Sequence, residues 1–168
     1  MTHVISVVVE NKPGVLARIS SMFARRGFNI HSLTVGPTED PMLSRMTVVV
    51  DGPEMEQIVK QLYKLVHTVK VVELNPAEAV EREIMLVRVN ADAKRRGEIL
   101  DAANIFEAKA VDVGAGTITF ELSGEPERLA DFLELMRTYG IVGLAKSGRI
   151  ALPKDQKSGP RKAKLRTA

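Results

Sequence analysis

Val4-Ile5-Ser6-Val7-Val8-Val9-Glu10-Asn11-Lys12-Pro13-Gly14-Val15-Leu16 passes from one kind of local structure to another. Val4–Val9 has the apolar, β-branched content of a strand. Val15, Leu16, Ile19, Met22 and Phe23 then share one face at helical spacing. Pro13 and Gly14 stand at the handover. Proline suits a first helical turn, where its missing N–H removes no internal bond. That placement predicts free N–H donors at Gly14, Val15 and Leu16, a cradle sized for one carboxylate or phosphate. No nucleophile or base adjoins it, so the loop reads as a place that holds a ligand rather than one that transforms it.

A repeat extends this reading to the whole chain. After the first helix come strands at Phe28–Val35 and Ser44–Asp51. A second helix places Met55, Ile58, Val59, Leu62, Leu65 and Val66 on one face, and Val69–Leu74 is a strand. The order is βαββαβ, and it recurs. Ile84–Val89 is a strand, and Ala93 to about Asn104 a helix. Ala110–Val113 and Thr117–Leu122 form a hairpin around Gly114-Ala115-Gly116. Pro126 opens a helix with Leu129, Phe132, Leu133 and Met136 inward, and Ile141–Ala145 closes the unit. Met46, Val48, Val50 and Gly52 align with Ile118, Phe120, Leu122 and Gly124 at an offset of 72, and the first strands align at 80. The difference is a longer hairpin loop, Pro37–Leu43, in the first half only.

The expected fold class is therefore α+β: two tandem ferredoxin-like βαββαβ units, each a four-stranded antiparallel sheet with two helices on one face. The expected divisions are 1–75, a linker at 76–82, 83–152, and a basic tail at 153–168. The tail lacks apolar periodicity and is expected to be disordered. Val4–Val9 and Met46–Val50 are nearly all apolar, whereas a half-solvated sheet should alternate. The second unit or another copy of the chain is expected to cover part of the open sheet face.

Composition narrows the function classes. The chain has 168 residues, 45% of them apolar, and no cysteine. Disulfides, thiolate catalysis and Cys-based metal sites are excluded. No apolar run reaches the ~18 residues of a membrane span, and the N-terminus lacks the basic opening of a signal peptide. The net charge of +3 belongs to the tail, where Lys154, Lys157, Arg161, Lys162, Lys164 and Arg166 face only Asp155. The body is slightly acidic, and aromatics are 4% with no Trp, which argues against nucleic-acid binding. The three histidines, His3, His31 and His67, have no i, i+4 metal spacing and read as structural. No Walker-type or dinucleotide fingerprint occurs.

Two loops carry the chemistry. The Asn11–Leu16 loop is explained equally well as a plain cap, helix opener and turn. The repeat argues otherwise: the matching loop, Asn90-Ala91-Asp92-Ala93-Lys94, does without Pro-Gly. In Gly27-Phe28-Asn29-Ile30-His31, Gly27 suits a left-handed helix end. Asn29 is out of place in a strand. Its carboxamide can accept from a ligand ammonium, and with helix N–H donors it would meet both charges of an amino acid without burying an ion pair.

Val9-Glu10-Asn11-Lys12-Pro13-Gly14-Val15-Leu16-Ala17-Arg18, Arg26-Gly27-Phe28-Asn29-Ile30, Ser32-Leu33-Thr34-Val35 and Leu43-Ser44-Arg45-Met46-Thr47 resemble an ACT domain. With Lys60–Val66 and Val80–Val87, the chain resembles more narrowly the regulatory small subunits of acetolactate synthase (acetohydroxyacid synthase), over nearly all of residues 3–150. The resemblance implies an N-terminal ACT domain and a C-terminal ACT-like domain. It implies that a branched-chain amino acid, usually valine, is bound at a homodimer interface. Asn11, Gly14, Val15 and Leu16 would come from one protomer, Asn29 and Ile30 from the other. It implies a cytoplasmic chain with no catalysis and no cofactor of its own. Its partner would be a large catalytic subunit carrying thiamine diphosphate, magnesium and FAD, which the small subunit activates and places under feedback inhibition. The alternative is a free-standing amino-acid sensor acting on another protein.

Overall fold

The structure, a computed structural model, describes residues 2–52 and 55–155. The first unit comprises β1 (Thr2–Glu10), α1 (Val15–Arg25), β2 (Asn29–Pro37), β3 (Leu43–Asp51), α2 (Met55–Tyr63) and β4 (Thr68–Leu74). A short 3-10 turn, Pro76–Glu78, leads to the second: β5 (Ala79–Asn90), α3 (Arg96–Ile105), β6 (Lys109–Val113), β7 (Thr117–Gly124), α4 (Pro126–Arg137) and β8 (Ile141–Lys146). A last strand, β9 (Ile150–Pro153), follows. The sheets run β2-β3-β1-β4 and β6-β7-β5-β8, antiparallel throughout. This is the double βαββαβ that the repeat predicts.

The aligned positions do the same work in both halves. Ile5, Val7, Met46, Val48 and Val50 are buried against Ile19, Phe23, Ile58 and Leu62 of the first helix pair. Met85, Val87, Ile118, Phe120 and Leu122 are buried against Ile99, Leu129, Phe132 and Met136 of the second. α1 ends as expected. Gly27 has φ 70°, its N–H donates to Ala24 O at 3.1 Å, and Phe28 N–H donates to Phe23 O at 3.1 Å. Phe28 then packs edge-on against Phe23, 6.2 Å between ring centres, the hydrophobic contact that accompanies this helix end.

Three local expectations need correction. Pro13 precedes the helix rather than opening it: Gly14, at φ 83°, is the N-cap, and Val15 is the first helical residue. α2 stops at Tyr63, where Leu65 N–H bonds back to Leu62 O, so Val66 turns outward and is 86% exposed. α3 begins at Arg96 rather than Ala93, because the Asp92 carboxylate takes the Lys94 and Arg95 N–H groups into a turn first.

β9 has no counterpart in the sequence reading. It pairs with Ala79–Arg82 of β5, the stretch read as linker, and this ribbon lies under the first sheet. Val4, Val49 and Leu74 on the helix-free face are buried against Ala79 and Ala151. The ribbon is tied further by Thr34 Oγ1 donating to Arg149 O at 2.6 Å and Arg149 N–H donating to Ser32 Oγ at 3.0 Å. The second unit thus covers part of the open face, as the lack of alternation demanded. At the expected tail, Pro153 closes β9 and Lys154 N–H donates to Glu78 O at 2.7 Å. Residues 156–168 lie outside the described residues.

Candidate functional site

β1 delivers the chain to Asn11, which is pinned to the long hairpin loop. Its backbone N–H donates to Met42 O at 2.7 Å and its side-chain Nδ2 to Pro41 O at 3.1 Å. One of the two Nδ2 hydrogens is thereby used, and the side-chain oxygen remains available as an acceptor. The extra residues of the first hairpin are the buttress of this loop. Lys12 Nζ lies 2.6 Å from Glu10 Oε2, and His67 Nδ1 lies 2.9 Å from the same oxygen. Hydrogen bonding from Lys12, then from His67, holds the Glu10 carboxyl below its ordinary value.

Gly14 stands in left-handed backbone that only glycine adopts freely, and no atom lies within 4 Å of where its Cβ would be. Beyond it α1 has no side-chain cap. Arg18 N–H bonds to Gly14 O at 3.1 Å, and Val15 N–H reaches Lys12 O only at 3.4 Å. The N–H groups of Gly14, Leu16 and Ala17 have no acceptor among the described residues. Ala17 is a donor that the sequence reading missed, because moving the helix start by one residue moves the last orphan donor with it. The Val15 side chain is buried in the core, so only its backbone faces the loop. Leu16 is 43% exposed beside it.

The second unit supplies an internal comparison. There the Asp92 carboxylate oxygen accepts from Lys94 N–H at 3.0 Å and Arg95 N–H at 2.9 Å. At the offset of 80 these match Gly14 and Val15. The second repeat closes the turn ahead of α3 with its own carboxylate, although α3 itself starts without a side-chain cap. The first puts Lys12 at the matching position and leaves the donors open.

Asn29 and Ile30 lie elsewhere. Asn29 pairs with Asp51, which pairs with Thr2 at the start of β1, whereas Glu10 pairs with Leu43 at the other end. Eight residues of strand separate the two ends, roughly 27 Å at the usual antiparallel rise. Asn29 is exposed, and Ile30 packs partly on the first core. A single chain does not bring Asn29 to Gly14. β2 is, however, an edge strand. A two-fold axis through that edge would pair β2 antiparallel with a copy and carry one protomer's Asn29 to the hairpin end of the other.

The histidines all contact carboxylates: His3 with Glu73, His31 with Asp51, His67 with Glu10. His31, then Thr2, holds the Asp51 carboxyl below its ordinary value. No group of three or more potential metal ligands occurs among the described residues, and no described helix is long and apolar enough to cross a membrane.

The fold and the site define a double βαββαβ protein whose first helix starts without a side-chain cap. Residues 5–70 match the domain described as the AHAS small subunit-like ACT domain, and residues 82–155 match the family described as the small subunit of acetolactate synthase. A probable acetolactate synthase small subunit of Archaeoglobus fulgidus is 50% identical over 159 residues, 94% of this chain and 99% of that protein. The acetolactate synthase small subunit of Mycolicibacterium smegmatis is 50% identical over 163 residues, 95% of this chain and 93% of that one. The crystal structure of the acetolactate synthase small subunit from Thermotoga maritima superposes with a TM-score of 0.84 at 39% identity, over 92% of this chain and 98% of that one. The chain belongs to the acetolactate synthase small-subunit family, whose members are regulatory and non-catalytic.

Proposed function

We propose that this chain is the amino-acid-responsive regulator of an acetolactate synthase catalytic subunit. It binds valine, or a close relative such as leucine or isoleucine, at the start of α1 in a homodimer. The observation that carries this reading is the loop before α1: Gly14 N–H is open where its counterpart Lys94 N–H is taken by Asp92, and the N–H groups of Leu16 and Ala17 stand free beside it. The Asn11 side-chain oxygen and the Asn29 carboxamide of the second protomer receive the ammonium. Leu16 and that protomer's Ile30 offer apolar surface to the branched side chain.

Such a ligand binds only the arrangement in which two protomers complete its site. It shifts the conformational equilibrium by its differential affinity for that arrangement. Coupling energies of about 1–3 kcal/mol are typical and suffice for feedback control. The chemistry resides in the large subunit, where the family resemblance puts thiamine diphosphate, magnesium and FAD, with the cytoplasm as the place of action. The test is calorimetric titration of the purified chain with valine, leucine and isoleucine, repeated on Asn29→Ala. Saturable heat from at least one amino acid, weakened in the variant, supports the site. Absence of binding to all three, with the catalytic subunit also unaffected, removes the proposal. Co-purification of a partner other than a thiamine diphosphate enzyme would favour the free-standing sensor.

A further inference from the structure

A groove of about 640 Å³ runs between α1 and α2 on the outer, solvent side of the first unit. Its apolar part is Ala17, Met22 and Leu65, and its rim is Arg18, Arg25 and Arg26. Arg18 and Leu65 also line the adjoining depression, which brings in Lys64 and the outturned Val66. The surface is therefore apolar at its centre and cationic around it.

The cations are unanswered. No acid occurs between Asn11 and Phe28. Among the described residues, Arg18, Arg25, Arg26 and Lys64 have no carboxylate partner. The second unit again gives the contrast: Arg95 pairs with Glu98, Arg128 with Glu107 and Arg137 with Glu134. Three arginines of the second unit's helix layer are thus paired with glutamates, whereas those of α1 have no carboxylate partner among the described residues.

Resting on the regulatory reading above, we propose that this groove docks an acidic, partly apolar segment of the acetolactate synthase catalytic subunit. Arg18 and Arg25 are seven residues apart on one helix, roughly 10 Å along its axis. The positive charge is therefore spread along the groove rather than gathered at one point. Acidic side chains spaced along a peptide reach both, while its apolar residues cover Met22 and Leu65. The charges set orientation and encounter rate, and the apolar centre supplies the lasting contact. A long polyanion is the poorer fit, because these cations are confined to one helix pair on an otherwise acidic body and no aromatic platform accompanies them. The groove also adjoins the ligand cradle. Arg18 N–H is bonded to Gly14 O, so the helix that receives the amino acid at its start presents the docking surface one turn further on.

The experiment pairs the full-length chain with the catalytic subunit. Association is measured by sedimentation and by titrated activation, at low and moderate salt, for wild type, Arg18→Ala/Arg25→Ala and Arg18→Glu/Arg25→Glu. Valine binding to the isolated chains is followed in parallel as a check on folding. The expected result is an apparent Kd raised about 5-fold by the alanine pair and about 30-fold or more by the glutamate pair, with wild-type affinity falling as salt rises. Valine binding stays intact. Association of the glutamate pair at wild-type strength overturns the docking surface and leaves the regulatory reading standing. Failure of the wild-type chain to associate overturns both. Competition by single-stranded polynucleotide, but not by an acidic peptide, also overturns it by assigning the arginines to nucleic acid.

Discussion

Gly14 and Glu107 are two residues at helix ends with the same backbone sign and opposite prospects. Both have positive φ, 83° and 54°. Gly14→Asp puts a carboxylate where the ligand's belongs, while aspartate tolerates left-handed backbone better than most residues. The expected outcome is loss of valine heat in calorimetry and loss of feedback, with an unchanged far-UV spectrum. Glu107 ends α3 with the same pair of bonds that Gly27 makes after α1: Ala108 N–H to Ala103 O and Glu107 N–H to Asn104 O, both 3.0 Å. Glycine removes the Cβ strain there, so Glu107→Gly should raise unfolding stability by about 0.5–1 kcal/mol in urea titration, although it gives up the exposed pair with Arg128. The carboxylates have a sign to check. Glu10 and Asp51 are held below their ordinary values, so the unfolded chain takes up their protons first as pH falls. Their contribution is present above the ordinary carboxylate range and is lost as pH drops through the lowered folded values. Urea midpoints should therefore fall with pH below about 4.5. Lys12→Met should move the Glu10 carboxyl titration upward by NMR, since Lys12 is its principal partner.

Among the elements, those with a long hydrophobic period were legible. α1, α4 and the inner strands follow from spacing alone, and the offsets of 72 and 80 found the same buried positions in both sheets. β9 was not legible, for a physical reason. Ile150-Ala151-Leu152-Pro153 is four residues long, follows Gly148 and is made a strand by β5, a partner some seventy residues away. Its environment is tertiary: Ala151 is 4% exposed only because the first sheet covers it. Ala151→Glu should push a charge into that contact, cost about 2–3 kcal/mol in urea unfolding and leave α3 and α4 intact by hydrogen exchange. Half of the candidate site had the same difficulty. The donors at Gly14 and Leu16 can be read from local sequence, but the distance from Asn29 to Gly14 is set by strand register, which pairing determines. The shift of the helix start past Pro13 was also hidden, because proline is as much at home just before a helix as in its first turn.

For the whole molecule, a site shared by two protomers has a signature that no single-chain site can imitate. On the proposed arrangement, Gly14→Asp and Asn29→Ala would each spoil both sites of their own homodimer. In a mixed dimer, one site keeps the Gly14 of one chain and the Asn29 of the other, while the second site carries both lesions. Co-refolding the two inactive variants should therefore restore valine binding at one site per mixed dimer, measured by calorimetry after separation on orthogonal tags. No recovery would put both residues' effects within one chain.

β5 belongs to both halves at once. Ala79–Arg82 form a ribbon with β9 beneath the first sheet, and Glu83–Asn90 are paired in the second. Twelve residues of uninterrupted strand, about 40 Å long, leave no bend to absorb a displacement. The junction is a shaft rather than a tether. A displacement of the first sheet would therefore be handed to the second through paired strand rather than lost in a loop.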